Sequence, residues 1–143
     1  MLPESVWSIP KLGTFNLHAS LLPQYRGAAP INWAIINGEK KSGVTTFLID
    51  HEIDTGKVIF SDEIEITENE TAGELHDKLM VIGANLVLKT VKALAEDSIK
   101  PIPQDNLRQA SPSIKSAPKI FRETCRIDWS KPAPQVHNLI RGL

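Results

Sequence analysis

Asn16 and His18 stand one residue apart at the end of a short segment, 12–17, whose composition predicts a β-strand. Because side chains alternate between the two faces of a strand, both residues point to the same side. An amide and an imidazole side by side can together hold negative charge that develops on one oxygen atom. Asp54, in the turn Ile53-Asp54-Thr55-Gly56, can set the state of the imidazole or accept a proton. The three residues are consistent with a site for oxyanion stabilisation and proton transfer, although most Asn-x-His pairs are surface or structural residues.

Two other groups of reactive side chains are alternatives to this site. His51, Asp54 and His76 could hold a metal ion, since His-x-x-Asp residues can share one face, but the set lacks a secure third ligand. We therefore expect no metal. Cys125 and His137 could form a nucleophilic pair, although Cys125 does not lie at a helix N-terminus or strand elbow, where thiols are activated.

The segments around the three residues predict a mixed sheet with a helix packed across it. Residues 44–49 form a continuous β-branched and aromatic run, typical of a strand buried on both faces. Residues 58–66 alternate between apolar and polar, which predicts a half-exposed strand antiparallel to 44–49. A long helix is predicted over 71–95, since Thr71-Ala72-Gly73-Glu74 fits a capping box and apolar residues follow at helical spacing. The strand at 12–17 completes the sheet.

Composition and charge describe a soluble globular chain with a basic C-terminal part. Of its 143 residues, 41% are hydrophobic and 23% charged, and no apolar run is long enough to span a membrane. Residues 61–99 hold nine acidic and three basic side chains, whereas 100–143 hold eight basic and three acidic ones. The basic part suits a polyanionic partner, or is a solvated linker that happens to carry lysine and arginine. The single cysteine, Cys125, suits a reducing compartment, so we expect a cytoplasmic protein.

Two adjacent motifs carry a resemblance to a known family. Asn16-x-His18-x-Ser20-Leu21-Leu22-Pro23, followed by Tyr25-Arg26-Gly27-Ala28-Ala29-Pro30, resembles the signature of folate-dependent formyltransferases. Asp54 follows Asn16 by 38 residues, where that family places its catalytic aspartate. Residues 117–120 and 126–129 are similar to the linker and second-domain entry of the members that act on methionyl-tRNA. The resemblance covers nearly the whole chain.

The resemblance implies an α/β fold class and a division of the chain into three parts. Residues 1–100 are expected to form the C-terminal half of a Rossmann-like formyltransferase catalytic domain, with a mixed sheet and helices. Residues 101–119, which hold four prolines, are expected to be a linker. Residues 120–143 are expected to begin a β-barrel domain that binds tRNA. The chain thus resembles a member of the family cut at both ends, and we expect such a chain alone to self-associate and to be inactive.

The resemblance also implies a reaction: transfer of the formyl group of 10-formyltetrahydrofolate to the α-amino group of initiator methionyl-tRNA. Asn16 and His18 would hold the oxyanion, and Asp54 would accept the proton of the amine. The residues expected to border the folate donor are Leu2, Ser20, Leu21, Leu22, Pro23, Asp50, His51, Glu52 and Ile53. A sugar amine as the acceptor, or a noncatalytic module that keeps the fold, are the alternatives. The Leu22–Pro23 peptide bond, beside the expected site, is a candidate for the cis form.

Overall fold

A computed structural model describes residues 2–110 and 113–143 of the chain. The mixed α/β class expected from the sequence is confirmed. The elements are α1 (Glu4–Trp7), β1 (Phe15–His18), β2 (Arg26–Gly27), α2 (Pro30–Ile36), β3 (Lys41–Leu48), β4 (Val58–Glu65), α3 (Ala72–Ala95), a 3-10 helix (Gln104–Ala110), β5 (Ser116–Ala117) and α4 (Ala133–Arg141). Of the described helices, none is long and apolar enough to cross a lipid bilayer.

The main sheet has three strands in the order β1-β3-β4, and both pairings are antiparallel. The central strand β3 is buried along most of its length, as its apolar composition predicts. In register with it, Asn16 lies opposite Phe47, Leu17 opposite Thr46 and His18 opposite Thr45. The prediction that the three segments share one sheet is confirmed, although these three strands pair only antiparallel and so do not themselves form the expected mixed sheet. Strand β1 begins at Phe15 and is shorter than expected.

Helix α3 covers one face of this sheet and builds the main core. Its first turn carries the expected capping box, in which Thr71 and Glu74 satisfy each other's backbone N–H groups. Leu75, Leu79 and Leu86 are buried against β3, and Thr90 of α3 is hydrogen-bonded to Thr46 of β3 at 2.9 Å. Since Leu17 lies opposite Thr46, it too faces α3, which leaves Asn16 and His18 on the other face of the sheet.

A second, two-stranded sheet joins β2 to β5 in parallel, with Gly27 opposite Ala117. No pattern in the sequence predicts these two-residue strands. Several residues of the segment 101–119 pack against the rest of the chain: Ile102 exchanges two backbone hydrogen bonds with Val58, and Ala117 is fully buried. The division into three domains stays a prediction, and residues 111–112 of the expected linker lie outside the described part of the chain.

Residues 120–143 form turns followed by α4, which packs on α2. Two side-chain contacts hold this segment: Arg141 Nη1 donates to the Glu70 carbonyl at 2.7 Å, and Asn32 Nδ2 donates to the Gly142 carbonyl at 2.7 Å. The Leu22–Pro23 peptide bond is cis, which confirms the expectation for it.

Candidate active site

His18 is held between a backbone carbonyl and a carboxylate. Its Nε2 lies 2.8 Å from the Tyr25 carbonyl oxygen, and its Nδ1 lies 3.7 Å from Asp54 Oδ2. A carbonyl oxygen can only accept, so Nε2 must carry a proton and donate it to Tyr25. The second ring nitrogen then faces the Asp54 carboxylate, with the ring only 6% exposed. The structure thus brings these two sequence-predicted residues together, while their catalytic roles stay predictions.

Asp54 is fixed at its carboxylate by the backbone of β2. The Gly27 N–H donates to Asp54 Oδ2 at 3.0 Å, and the aspartate side chain is 14% exposed. Asp54 adopts a left-handed conformation, with φ of 57°. Few residues other than glycine accept this conformation, and it persists where surrounding contacts enforce it, often at functional sites. The contacts around Asp54 therefore keep its carboxylate aimed at one place.

Asn16 is the third predicted residue, and its amide is free. The side chain is exposed on the face of β1 that α3 does not cover. It has no hydrogen-bond partner within residues 2–110 and 113–143. A free amide beside a fixed carboxylate can donate to a polar atom of a bound ligand at no cost to contacts within the protein.

A cavity of about 480 Å³ lies in front of Asn16 and Asp54. The residues that line it are Leu2, Asn16, Gly27, Ala28, Phe47, Ile49, Asp50, Glu52, Ile53 and Asp54. Its walls combine aliphatic and aromatic side chains with the Asn16 amide and three carboxylates, and apolar walls with a few polar groups are typical of a small-molecule site. His18 does not line this cavity, although its Nδ1 lies 3.7 Å from the carboxylate of Asp54, which does.

The expected folate-bordering residues divide into two groups. Leu2, Asp50, Glu52 and Ile53 line the cavity. His51 does not line it and instead lies at the surface, where its ring meets Trp7 edge-on with centroids 5.3 Å apart. Ser20, Leu21, Leu22 and Pro23 do not line it either; Ser20 and Leu22 are buried, and Ser20 and Leu21 line a separate cavity of about 270 Å³.

Tyr25, which supplies the carbonyl for His18, is itself held by Lys115 of the expected linker and by Glu39. It has φ of 60°, its N–H donates to the Lys115 carbonyl at 2.7 Å, and its hydroxyl donates to Glu39 Oε1 at 2.5 Å. Burial and the bond to Glu39 raise the pKa of the Tyr25 hydroxyl well above its usual range, so it stays protonated.

Glu39 is the charged member of this cluster. Lys115 Nζ lies 2.6 Å from Glu39 Oε1. Burial alone would raise the pKa of the Glu39 carboxyl, but the hydrogen bonds from Lys115 and Tyr25 outweigh it and hold that pKa below its ordinary value. The ionised carboxylate thus ties Tyr25 to the segment that carries Lys115.

Gln104 is a buried part of the site that sequence reasoning assigned to the linker. Its Nε2 donates to the carbonyl oxygens of Asp54, at 2.8 Å, and Gly56, at 2.9 Å. Its Oε1 accepts from Nε and Nη2 of Arg26 at 3.0 and 2.6 Å. Only 3% of the residue is exposed. A lone glutamine among prolines carries no local signal of these contacts, since all its partners lie far away in the sequence.

The alternative metal-binding group does not come together, and the thiol of the alternative nucleophile is hydrogen-bonded to a backbone carbonyl. His76 lies on the outer face of α3 with its Nδ1 3.1 Å from Asp77, and residues 2–110 and 113–143 contain no group of three side chains that could hold a metal ion. Cys125 is exposed, and its thiol donates to the Phe121 carbonyl at 3.4 Å. A larger cleft of about 570 Å³ runs between α2 and α4, and none of the predicted site residues lines it.

Comparison with known proteins identifies similar chains over both parts of the sequence. The family model described as "Formyl transferase" matches residues 1–91, and "Formyl transferase, C-terminal domain" matches residues 119–143. Two curated relatives, from Azobacteroides pseudotrichonymphae and Phocaeicola vulgatus, are 60% and 57% identical over 143 residues and bear the name methionyl-tRNA formyltransferase. This chain is matched over its full length and spans 44% of the length of each relative.

Solved structures with the same fold include sugar-modifying enzymes. The N-formyltransferase from Helicobacter canadensis, in complex with folinic acid and dTDP-3-aminofucose, aligns with a TM-score of 0.76. It is 32% identical over 90% of this chain and 46% of its own. The whole-chain identity to the two curated relatives is nearly twice as high.

Proposed function

Since the chain belongs to the formyl transferase family, we propose that the protein transfers a formyl group from 10-formyltetrahydrofolate to the α-amino group of initiator methionyl-tRNA. One observation of the structure supports this most directly. The free amide of Asn16 and the fixed carboxylate of Asp54 border one cavity, and His18 Nδ1 lies 3.7 Å from that carboxylate. The higher identity to relatives named methionyl-tRNA formyltransferase favours this acceptor over a sugar amine. Translation initiation would place the protein in the cytoplasm.

The residues of the cavity fit the folate donor. Its aliphatic and aromatic lining suits a flat ring, and the carboxylates of Asp50 and Glu52 suit the amino groups at the edge of a pterin. The donor supplies the formyl carbon, to which the amine nitrogen bonds as the bond to N10 breaks. The four cavity-lining residues of the sequence prediction, Leu2, Asp50, Glu52 and Ile53, remain our candidates for contacts with this donor.

Asn16, Asp54 and His18 have different roles in the proposed transfer. Asn16 Nδ2 donates to the formyl oxygen while that oxygen carries negative charge, which strengthens this hydrogen bond in the transition state. Asp54 accepts the proton that the amine loses, directly or through a water molecule, and the N10 atom of the released folate regains a proton. His18, expected to hold the oxyanion with Asn16, does not line the cavity: its Nε2 donates to the Tyr25 carbonyl and its Nδ1 lies 3.7 Å from Asp54 Oδ2. In this proposal His18 therefore acts through Asp54, beside whose carboxylate it lies.

The division into a catalytic part (1–100), a linker (101–119) and the start of a tRNA-binding domain (120–143) is retained as part of the proposal. It is supported by the separate family matches at residues 1–91 and 119–143. The basic residues of 100–143 would then face the phosphates of the tRNA.

A two-acceptor assay tests the proposal. The full-length protein is supplied with 10-formyltetrahydrofolate and either methionyl-tRNA or a nucleotide-linked amino sugar, and the released tetrahydrofolate and the formylated product are measured. We expect turnover with methionyl-tRNA, and its loss in Asp54→Asn, which keeps the shape but not the charge of the side chain. Turnover with the amino sugar alone would favour the sugar-amine alternative. Absence of turnover with both acceptors would favour the noncatalytic module.

A further inference from the structure

Gln104 connects the two segments that hold Asp54, and it lies 50 positions away from Asp54 in the sequence. We propose that Gln104 is a positioning residue, which fixes the Asp54 carboxylate for proton transfer through the backbone of the 54–56 turn and through Arg26. This inference rests on the proposed function, because it takes Asp54 as the proton acceptor.

The donor side of the Gln104 amide holds the turn. Both N–H groups are used, one on the Asp54 carbonyl at 2.8 Å and one on the Gly56 carbonyl at 2.9 Å. On its other side the turn lies directly against β3, since a Cβ atom on Gly56 would come within 1.6 Å of the Leu48 carbonyl oxygen. The backbone of the turn is therefore fixed between β3 and the amide, with Asp54 in its left-handed conformation.

The acceptor side of the same amide holds the strand that binds the carboxylate. Gln104 Oε1 accepts two hydrogen bonds from Arg26, and the N–H of the next residue, Gly27, donates to Asp54 Oδ2. One side chain thus links the main chain of Asp54 to the element that orients its carboxylate. Movement of the 54–56 turn relative to β2 would change the position of Asp54 Oδ2 in the cavity.

The position of Gln104 itself is fixed by the main chain just before it. Ile102 and Val58 exchange two backbone hydrogen bonds, of 2.9 and 2.8 Å, which attach the start of the expected linker to the first residue of β4. Gln104 follows two residues later, buried to 3% exposure. A buried amide with all these partners is costly to disturb, because the carbonyls left behind would have no donor.

The pattern of donors and acceptors makes the amide difficult to replace. Two donors on one nitrogen meet two carbonyls, and one acceptor oxygen meets a guanidinium. A glutamate keeps the shape and the contact with Arg26 but offers no donor to the carbonyls. A leucine keeps neither contact. Gln104→Glu therefore removes only the contact with the turn, whereas Gln104→Leu removes the contacts with the turn and with Arg26.

Gln24 offers a matched control. Its amide also joins distant segments, with Nε2 on the Ser113 carbonyl at 3.1 Å and Oε1 accepting from the Lys115 N–H at 2.9 Å. Its side chain does not contact Asp54 or Gly56. Gln24→Leu removes an amide of the same size that also bonds through both its nitrogen and its oxygen, although it makes two such bonds where Gln104 makes four. Loosening of the 54–56 turn in Gln104→Leu but not in Gln24→Leu would therefore assign the effect to the contacts of Gln104.

Two measurements on the full-length protein test the inference. The first is the NMR order parameter of the Asp54, Thr55 and Gly56 amides. We expect it to fall from the value of a rigid backbone, about 0.85, towards that of a flexible one, below about 0.6, in both Gln104 variants and not in Gln24→Leu. Unchanged order parameters in both Gln104 variants would overturn the inference whether or not the protein is active.

The second measurement is kcat and KM for formyl transfer. We expect kcat to fall about tenfold or more in both Gln104 variants, with a smaller change in the KM of the donor, because a misplaced proton acceptor impairs the chemical step. A mobile turn with unchanged kcat would make Gln104 a structural residue and overturn the inference. Inactive wild-type protein would refute the proposed function instead, and the order parameters would still decide whether Gln104 fixes the turn.

Discussion

Replacement of Asn16 by alanine should separate catalysis from stability. The Asn16 amide is exposed and makes no hydrogen bond to the described residues, so truncation removes no contact that the folded chain depends on. Surface substitutions of this kind usually change the free energy of unfolding by less than about 0.5 kcal/mol. We expect Asn16→Ala to unfold in urea at nearly the same midpoint as the wild type.

The same substitution should have a large effect on the transfer rate. Loss of a single oxyanion donor typically costs about 3 kcal/mol of transition-state stabilisation. At about 1.4 kcal/mol for each factor of ten, this corresponds to a fall in kcat of roughly 100-fold. The KM for the donor should change much less, because the bond strengthens only as charge develops on the formyl oxygen.

The assay is single-turnover formyl transfer at saturating donor, beside urea unfolding of the same preparations. Asn69→Ala is the control, since Asn69 is an exposed asparagine in the turn before α3 and does not line the cavity. It should match the wild type in both measurements. A raised KM with unchanged kcat in Asn16→Ala would show that the amide serves in ground-state binding, and the oxyanion role would be refuted.

Three further substitutions test the supports of the site and the core. Since the pKa of Glu39 is lowered in the fold, its ionised form stabilises the protein at pH values above the ordinary pKa of 4.5, and this stabilisation is lost as the pH falls through the folded pKa. The difference in thermal midpoint between the wild type and Glu39→Gln should therefore shrink below pH 4.5. A difference that stays constant with pH would contradict this. Gly27→Ala should cost at least about 2 kcal/mol in urea unfolding, because φ is +125° and a Cβ atom would lie 2.4 Å from a backbone oxygen of β5. Gly73→Ala is the control that should lose no stability, because Gly73 lies in α3 and a Cβ atom there would meet only Thr71 Oγ1, at 4.0 Å. Leu75→Ala should lower the free energy of unfolding by about 3 kcal/mol, since the side chain is fully buried in the main core, and a loss below about 1 kcal/mol would contradict the packing described.

The elements with a strong local pattern could be predicted from the sequence. The continuous apolar run of β3, the alternation of β4 and the capping box of α3 each reflect interactions within a few residues, and each was found at the expected place. Asn16, His18 and Asp54 stay predicted site residues, selected because their types and spacing have a chemical meaning that does not depend on the fold.

The supports of the site could not be predicted in this way. The partner of His18 is the carbonyl of Tyr25, and every residue has a carbonyl, so side-chain identity gives no indication. Gln104 lies in a proline-rich segment whose composition is typical of a linker, and its burial follows from partners 48 to 78 positions away. Strands β2 and β5 have two residues each, too few to show any periodicity.

The pairing of Gly27 with Ala117 has a consequence for the order in which the chain acquires its structure. The two residues are separated by 90 positions, whereas the β3–β4 hairpin and α3 form from residues close in sequence. Closing a long loop carries an entropic cost that must be met before the pairing contributes, so such contacts form late. During synthesis on the ribosome, the sheet and its helix can therefore fold first, while the strand that holds Asp54 waits for residues 104–117 to emerge. A nascent chain stopped before that point would contain all three polar residues and most of the main core, but not the segments that hold Asp54 and Tyr25 in place.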